Sequence, residues 1–176
     1  MPVTIVETLI QIEPWGEADF SLLRLMNSYK MMEHLGGPEQ YRQILNRHKR
    51  YLEMDRLGVG QMYTIVLLPQ RKKIGCVGFW DRTWQNKSVY EIGWSVLPQF
   101  QGMGIATIAV SKAITIASFE RKHKNIHAFP SVENLASNKI CQKLNFSFMG
   151  KCEFEYPLGR IMQSNNWRIK FNGKNE

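Results

Sequence analysis

A chain of 176 residues, 44% hydrophobic and 22% charged, is long enough for one domain with a substantial core and has an ordinary globular composition. Its formal charge of +8 attracts anions, but the basic runs Arg47-His48-Lys49-Arg50, Arg71-Lys72-Lys73 and Arg121-Lys122-His123-Lys124 accompany no nucleic-acid motif, so no specific nucleic-acid partner is predicted. The start Met1-Pro2-Val3-Thr4-Ile5 has no basic or apolar leader, no apolar run reaches membrane length, and Cys76, Cys141 and Cys152 are widely spaced without paired histidines; these features predict a cytoplasmic chain with no secretory signal, no membrane span, no disulfide framework and no metal.

Residues 3–12 are rich in β-branched side chains and predict a first strand, ended by Pro14-Trp15-Gly16. Residues 17–29 space Phe20, Leu23 and Met26 as a helix does, with acids early. His34-Leu35-Gly36-Gly37 reads as a loop. Pro38 then opens a second helix with Tyr41, Leu45, His48 and Leu52 on one face, stopped near Gly58 or Gly60. Residues 61–68, 73–84 and 88–97 predict three strands of an antiparallel meander, with the tip of the second hairpin at Gln85-Asn86-Lys87. Past Gly104, Ile105, Ile108, Ala109, Lys112, Ala113 and Ile116 recur with helical period, and only Lys112 interrupts the apolar face. Residues 125–129 predict a strand, 134–144 a helix with Leu135, Ile140, Cys141 and Leu144 as its stripe, 146–152 a strand, and 166–171 a last strand after an irregular segment. The order β-α-α-β-β-β-α-β-α-β-β predicts a single α/β domain over residues 1–176, a mixed sheet with helices on both faces.

The run Gln101-Gly102-Met103-Gly104-Ile105-Ala106 follows a strand that ends at Pro98 and opens a long helix. Alternate glycines leave backbone N–H groups uncovered, and a helix start adds unpaired donors and the positive end of the macrodipole. A phosphate or pyrophosphate is the natural guest. A Walker loop is excluded, since Gly104-Ile105-Ala106 lacks the Lys and the following Ser or Thr. A Rossmann fingerprint would stand in the first βαβ unit, not after a meander.

Gln101-x-x-Gly104-x-Ala106 resembles the acetyl-CoA signature Q/R-x-x-G-x-G/A of the GCN5-related N-acetyltransferases (GNAT). In register with it, Glu91-Ile92-Gly93-Trp94-Ser95-Val96-Leu97-Pro98 resembles the strand before that family's pyrophosphate loop, and Asn134-Leu135-Ala136-Ser137 its N-x-x-S step. Lys143-Leu144-Asn145-Phe146 stands where the family has K-x-G-F. The likeness covers about residues 73–152 and is greatest to the branch with the ribosomal-protein alanine acetyltransferases. It implies a mostly antiparallel sheet splayed between the fourth and fifth strands, and acetyl-CoA as cosubstrate. It further implies that the amides of Gln101, Gly102, Met103, Gly104, Ile105 and Ala106 hold the pyrophosphate. Val96 would pair with the pantetheine arm and offer its N–H to the thioester carbonyl, and Asn134 and Ser137 would line the far side.

Transfer to an amine needs a proton acceptor and a donor for the departing thiolate. Alternation puts Glu91 on one face with Gly93 and Ser95, and Tyr90, Ile92, Trp94 and Val96 on the other, which makes Glu91 the candidate base, acting through water. Its structural alternative is a sheet-face carboxylate paired with a basic residue. Where many family members have a tyrosine as general acid, this chain has Cys141; Ser137 and Tyr156 are the other candidate donors. Residues 155–167 could form a lid over the site. The predicted function is an N-acetyltransferase acting on a primary amine of a small molecule or a protein N terminus, the alternatives being a non-catalytic CoA-binding module and a basic nucleic-acid or ribosome-associated protein. The acceptor and the oligomeric state, homodimer included, are left open by the sequence.

Overall fold

The computed structural model describes residues 5–173. The elements run α1 (Ile5–Leu9), β1 (Ile10–Pro14), α2 (Phe20–Leu25), α3 (Tyr29–Met32), α4 (Tyr41–Glu53), β2 (Gly60–Leu67), β3 (Lys72–Trp84), β4 (Lys87–Val96), α5 (Ile105–Glu120), β5 (Asn125–Ala128), α6 (Leu135–Lys143), β6 (Ser147–Glu155) and β7 (Ile161–Lys170). One seven-stranded sheet has the order β1-β2-β3-β4-β5-β7-β6. Every neighbouring pair is antiparallel except β4 and β5. The meander and the mixed sheet are as predicted.

Helices cover both faces. On one, α5 lays Ile105, Ala109, Val110, Ala113 and Ala117 onto Val77, Phe79, Tyr90, Ile92 and Val96, with Cys141 of α6 in the same core. Alanines at the centre of α5 let the helix sit close to the sheet. The buried stripe is therefore rotated from the predicted one, and Lys112 lies half-buried at its margin. On the other face, Leu22, Leu23 and Met26 of the α2 segment and Ile44 of α4 pack against Met62, Cys76, Trp80 and Leu97. Here the buried positions of α4 are Ile44, Arg47 and His48, and Tyr41 is exposed. His48 is a core residue, its Nδ1 accepting from the Trp15 indole at 3.0 Å.

Four expectations are corrected. The predicted strand at residues 3–12 begins at Ile10, since residues 5–9 are helical and Val3 and Thr4 lie outside the described residues. Register explains this: Ile10 already pairs with Leu67, the last residue of β2, and Leu68 N donates to Leu9 O at 2.8 Å, after which Pro69 turns the chain away, so β2 does not continue alongside residues 5–8. The predicted helix at 17–29 is a 3₁₀ turn, α2 and the separate α3. Asn27 exchanges side-chain hydrogen bonds with the backbone of Glu39 (2.9 and 2.8 Å), and Ser28 caps Met31 N, so both side chains compete with a continuous helix. The helix assigned to Pro38 starts at Tyr41 and ends at Glu53, well before Gly58. The irregular segment before the last strand is mostly strand: β7 begins at Ile161 and pairs with β6 through Ser164↔Cys152 and Gln163↔Glu153, which leaves only a tight connection at residues 156–160.

Candidate active site

Pairing between β4 and β5 is limited to Tyr90↔Ile126 and Glu91↔His127. Beyond Glu91 the strands part, and residues 92–96 of β4 keep a neighbour only on the β3 side. Leu97 N donates across to Ile74 O at 2.8 Å. Because N–H and C=O directions alternate along an antiparallel strand, Val96 turns its own N–H and C=O the other way, into the opening. The Val96 carbonyl accepts from Gln101 Nε2 at 2.8 Å, which ties the start of the glycine run to the strand edge and leaves the Val96 N–H facing the cleft.

At the top of the opening stands the N-terminus of α5. Gly102 and Gly104 have φ of +76° and +77°, a region that side chains with a Cβ rarely adopt. A Cβ built on either meets nothing within 4 Å, so the glycines serve the backbone path and the space outside it. The helix's first bond runs from Ile108 N to Gly104 O (3.2 Å), so the amides of Ile105, Ala106 and Thr107 have no intrahelical acceptor. Gly104 caps with no side chain. This cradle of exposed amides suits a pyrophosphate.

Across the cleft, Asn134 is the N-cap of α6, its Oδ1 accepting from Ser137 N at 3.1 Å. Its main-chain oxygen accepts from Asn138 Nδ2 at 2.8 Å. Asn138, Ser131, Asn165 and Trp167 then form a polar network that fixes α6 against β7. Asn134→Ala removes the cap and is expected to cost about 1 kcal/mol of stability, read as a lower denaturation midpoint, whereas Asn134→Asp preserves it. The Ser137 N–H is used by the cap, while its hydroxyl is not engaged by any hydrogen bond among the described residues.

Glu91 lies on the sheet face opposite α5, as alternation predicts. Gly93 beside it is required by packing, because a Cβ there would stand 2.8 Å from the Trp80 indole. The Glu91 carboxylate is nearly buried and paired through Oε2 with Arg82 Nη1 at 2.7 Å. Arg82 stacks over Phe154 (4.2 Å to the ring centroid) and Phe129 (5.8 Å). Burial pushes the Glu91 carboxyl above the usual range; Arg82 and the Trp80 indole work against it, and burial wins.

The remaining candidates separate clearly. Cys141 is completely buried in the α5-side core, and burial pushes its thiol up to about 12. It is a packing residue with no route to a reacting atom. Cys141→Ala is therefore expected to lower stability by about 1 kcal/mol and leave turnover unchanged, as thermal melts and steady-state rates will read. Tyr156, in the β6–β7 connection, has its phenol held above the ordinary value by burial, and it feels the charges of Arg47, Arg50, Glu39 and Glu91. Arg47 is buried beside Glu39, with which it forms an ion pair. Pro157 and Arg160 crowd Gly36, so this connection packs against the loop before α4.

Nothing in the sequence marks Arg82 as the partner of Glu91 or sets Arg47 near Tyr156. Arg82 follows from hairpin register: with Gln85 and Asn86 as a two-residue turn, both at positive φ, Trp80 stands opposite Glu91 and Arg82 one step diagonal. Arg47 belongs to a basic run that looks like a solvated helix face. The three basic runs are in fact dispersed: Arg71 pairs with Glu13, Lys73 with Asp19 and Lys122 with Asp81.

A mixed sheet prised open between its two parallel strands, with an amide cradle at the mouth and a carboxylate at the vertex, defines an acyl-CoA-dependent acyltransferase. The chain matches the family described as acetyltransferase (GNAT) domain over residues 10–147 and belongs to that family; its activity class is N-acetyl transfer from acetyl-CoA. Among solved structures it resembles an acetyltransferase from Salmonella typhimurium that modifies the N-terminal serine of ribosomal protein L7/L12 (TM-score 0.78, 20% identity, 97% of this chain and 98% of that one). It also resembles a ribosomal-protein-S5-alanine acetyltransferase from Vibrio fischeri (0.77, 17%, 96% and 96%). A third is a spermidine N-acetyltransferase from Vibrio cholerae in complex with CoA and spermine (0.75, 16%, 93% and 96%). No curated protein sequence matches the chain. No helix among the described residues is long and apolar enough to cross a membrane.

Proposed function

We propose that the chain transfers acetyl from acetyl-CoA to a primary amine, of a small molecule or a protein N terminus, by direct attack in a ternary complex. The observation that carries this reading is the vertex of the splay, where a nearly buried carboxylate, an outward-facing backbone N–H and the amide cradle share one opening.

In this reading the amides of residues 101–106 hold the pyrophosphate, and the free edge of β4 hydrogen-bonds the pantetheine amides as an added strand would. The Val96 N–H meets the negative charge that develops on the thioester oxygen. Glu91 takes the amine's proton through a water. Arg82 orients the carboxylate and favours its ionised form against the effect of burial, and a carboxylate with about four lone-pair sites still has capacity for that water. Asn134 sets the α6 N-terminus against the cosubstrate, and Ser137 supplies a hydroxyl to the departing thiolate. A cytoplasmic setting suits this chemistry.

The Arg82–Glu91 pair and the buried Cys141 are also what a CoA-binding module without turnover would show. A free-thiol release screen with acetyl-CoA against peptides with free N termini, polyamines and amino sugars separates the two. Amine-dependent release supports the transferase and names its acceptor class; acetyl-CoA binding with no release for any amine supports the module.

A further inference from the structure

At the closed end of the β4–β5 pair, on the sheet face that Glu91 shares, lies a cavity of about 90 Å³. Trp84 and Lys87 wall it from the β3–β4 turn, Asn125 and His127 from β5, and Asn166 and Arg168 from β7. That volume holds roughly three waters at ~30 Å³ each, or one four-oxygen anion, and excludes a nucleotide.

The lining is polar and incompletely satisfied. Among the described residues, neither Lys87 nor Arg168 has a carboxylate partner. The Trp84 Nε1 is buried without an acceptor, and the Asn125 Oδ1 is buried without a donor. Buried polar atoms left unpaired are uncommon in folded proteins and call for a partner. His127 places Nδ1 2.7 Å from Asn166 Oδ1. An amide oxygen only accepts, so the ring proton sits on Nδ1 and Nε2 is left with its lone pair. Burial foremost, with the charge of Arg168 adding to it, holds this imidazole below its ordinary range and keeps it neutral.

Two cations and an indole N–H thus face two lone acceptors, Asn125 Oδ1 and His127 Nε2. A halide would satisfy only the donors, and a cation only the acceptors. A tetrahedral oxyanion that keeps one proton serves the donors and one acceptor together: its bare oxygens accept from Arg168, Lys87 and Trp84 in charge-assisted bonds, and its hydroxyl donates to either Asn125 or His127. We propose that this cavity is a binding site for hydrogen phosphate, either the free ion or the head of a small phosphate monoester whose ester arm leaves through the mouth. The site is separate from the glycine cradle, which lies at the other end of β4.

The test is a titration of the full chain with inorganic phosphate at constant ionic strength, followed by the indole N–H resonance of Trp84 in ¹⁵N–¹H spectra and assigned by its loss in Trp84→Phe. The expected result is a saturable shift of that resonance, weakened at least tenfold in Arg168→Gln. If that variant does not fold, Lys87→Gln at the exposed turn carries the comparison. Glycerol phosphate in a parallel arm identifies the source: an equal shift marks a monoester head, no shift marks the free ion. Three results would overturn the proposal: a Trp84 resonance that stays still while the amides of residues 102–106 move, an equal response to sodium chloride, or undiminished binding in both cation variants.

Discussion

Glu91→Gln is expected to cut acetyl transfer by about 10²- to 10⁴-fold, the range for loss of a positioned acid–base group, while CoA affinity stays as it is. In the proposed reading the carboxylate serves the acceptor amine and not the amide cradle, so the loss is expected in kcat and not in cosubstrate binding. The deficit is largest at low pH, where the amine is protonated and needs a base, and shrinks as rising pH strips the amine without help. Wild-type activity is expected to fall as pH drops through the Glu91 value, which burial has raised, because only the ionised carboxylate accepts a proton. Stability moves the other way. A carboxyl raised in the folded state stabilises the fold at pH below the ordinary glutamate range, and that contribution is lost as pH rises through the folded value. Glutamine keeps the neutral form at every pH, and its amide oxygen still accepts from Arg82. The variant is therefore expected to melt no lower than wild type at neutral pH, the usual sign of a group kept for activity at some cost to the fold. Equal transfer rates in the two proteins across the pH range would remove Glu91 from the mechanism.

Gly104→Glu is expected to weaken CoA binding at least tenfold. A carboxylate set beside the pyrophosphate opposes it by about 1 kcal/mol per charge pair at 4 Å in water and about 4 kcal/mol at the effective dielectric near a protein surface, and even the lower figure approaches a tenfold change. The substitution also forces a side chain to φ of +77°, at a cost of about 1–2 kcal/mol to the fold. Gly104→Asn separates the two effects, since asparagine tolerates the left-handed region and carries no charge. Calorimetric titration with CoA is expected to find the asparagine variant close to wild type and the glutamate variant much weaker. Equal weakening of both would assign the effect to backbone strain and not to charge.

The parts of the fold legible in the sequence are those where pattern and partner agree. The meander from β2 to β4 reads as apolar runs bounded by turn residues, because one face of each strand is buried by α5 and the other by α2 and α4. Glu91 and Gly104 stand out for physical reasons visible in one dimension, a charge on an otherwise apolar strand and a glycine at a helix start, whereas the indole that requires Gly93 is visible only in the fold. What failed was decided by tertiary partners. The β-branched residues 5–9 would suit a strand, but β2 ends before it can pair with them. The Ser-Asn-Asn of residues 164–166 looks like a loop, yet β6 supplies a partner for each. Arg82 was hidden by one residue of register. A three-residue tip at Gln85-Asn86-Lys87 moves every partner across the hairpin, and the two-residue turn seen here restores Arg82 to the Glu91 side. Tyr156, in the β6–β7 connection, and Arg47, on α4, are brought near each other only by the tertiary fold, which no local spacing encodes.

The most direct test is calorimetric titration of the wild-type chain with acetyl-CoA, with no amine present. The expected result is a single saturable site per chain, with CoA competing for the same amides at the start of α5. A chain that takes up no acetyl-CoA and no CoA at millimolar concentration would contradict it.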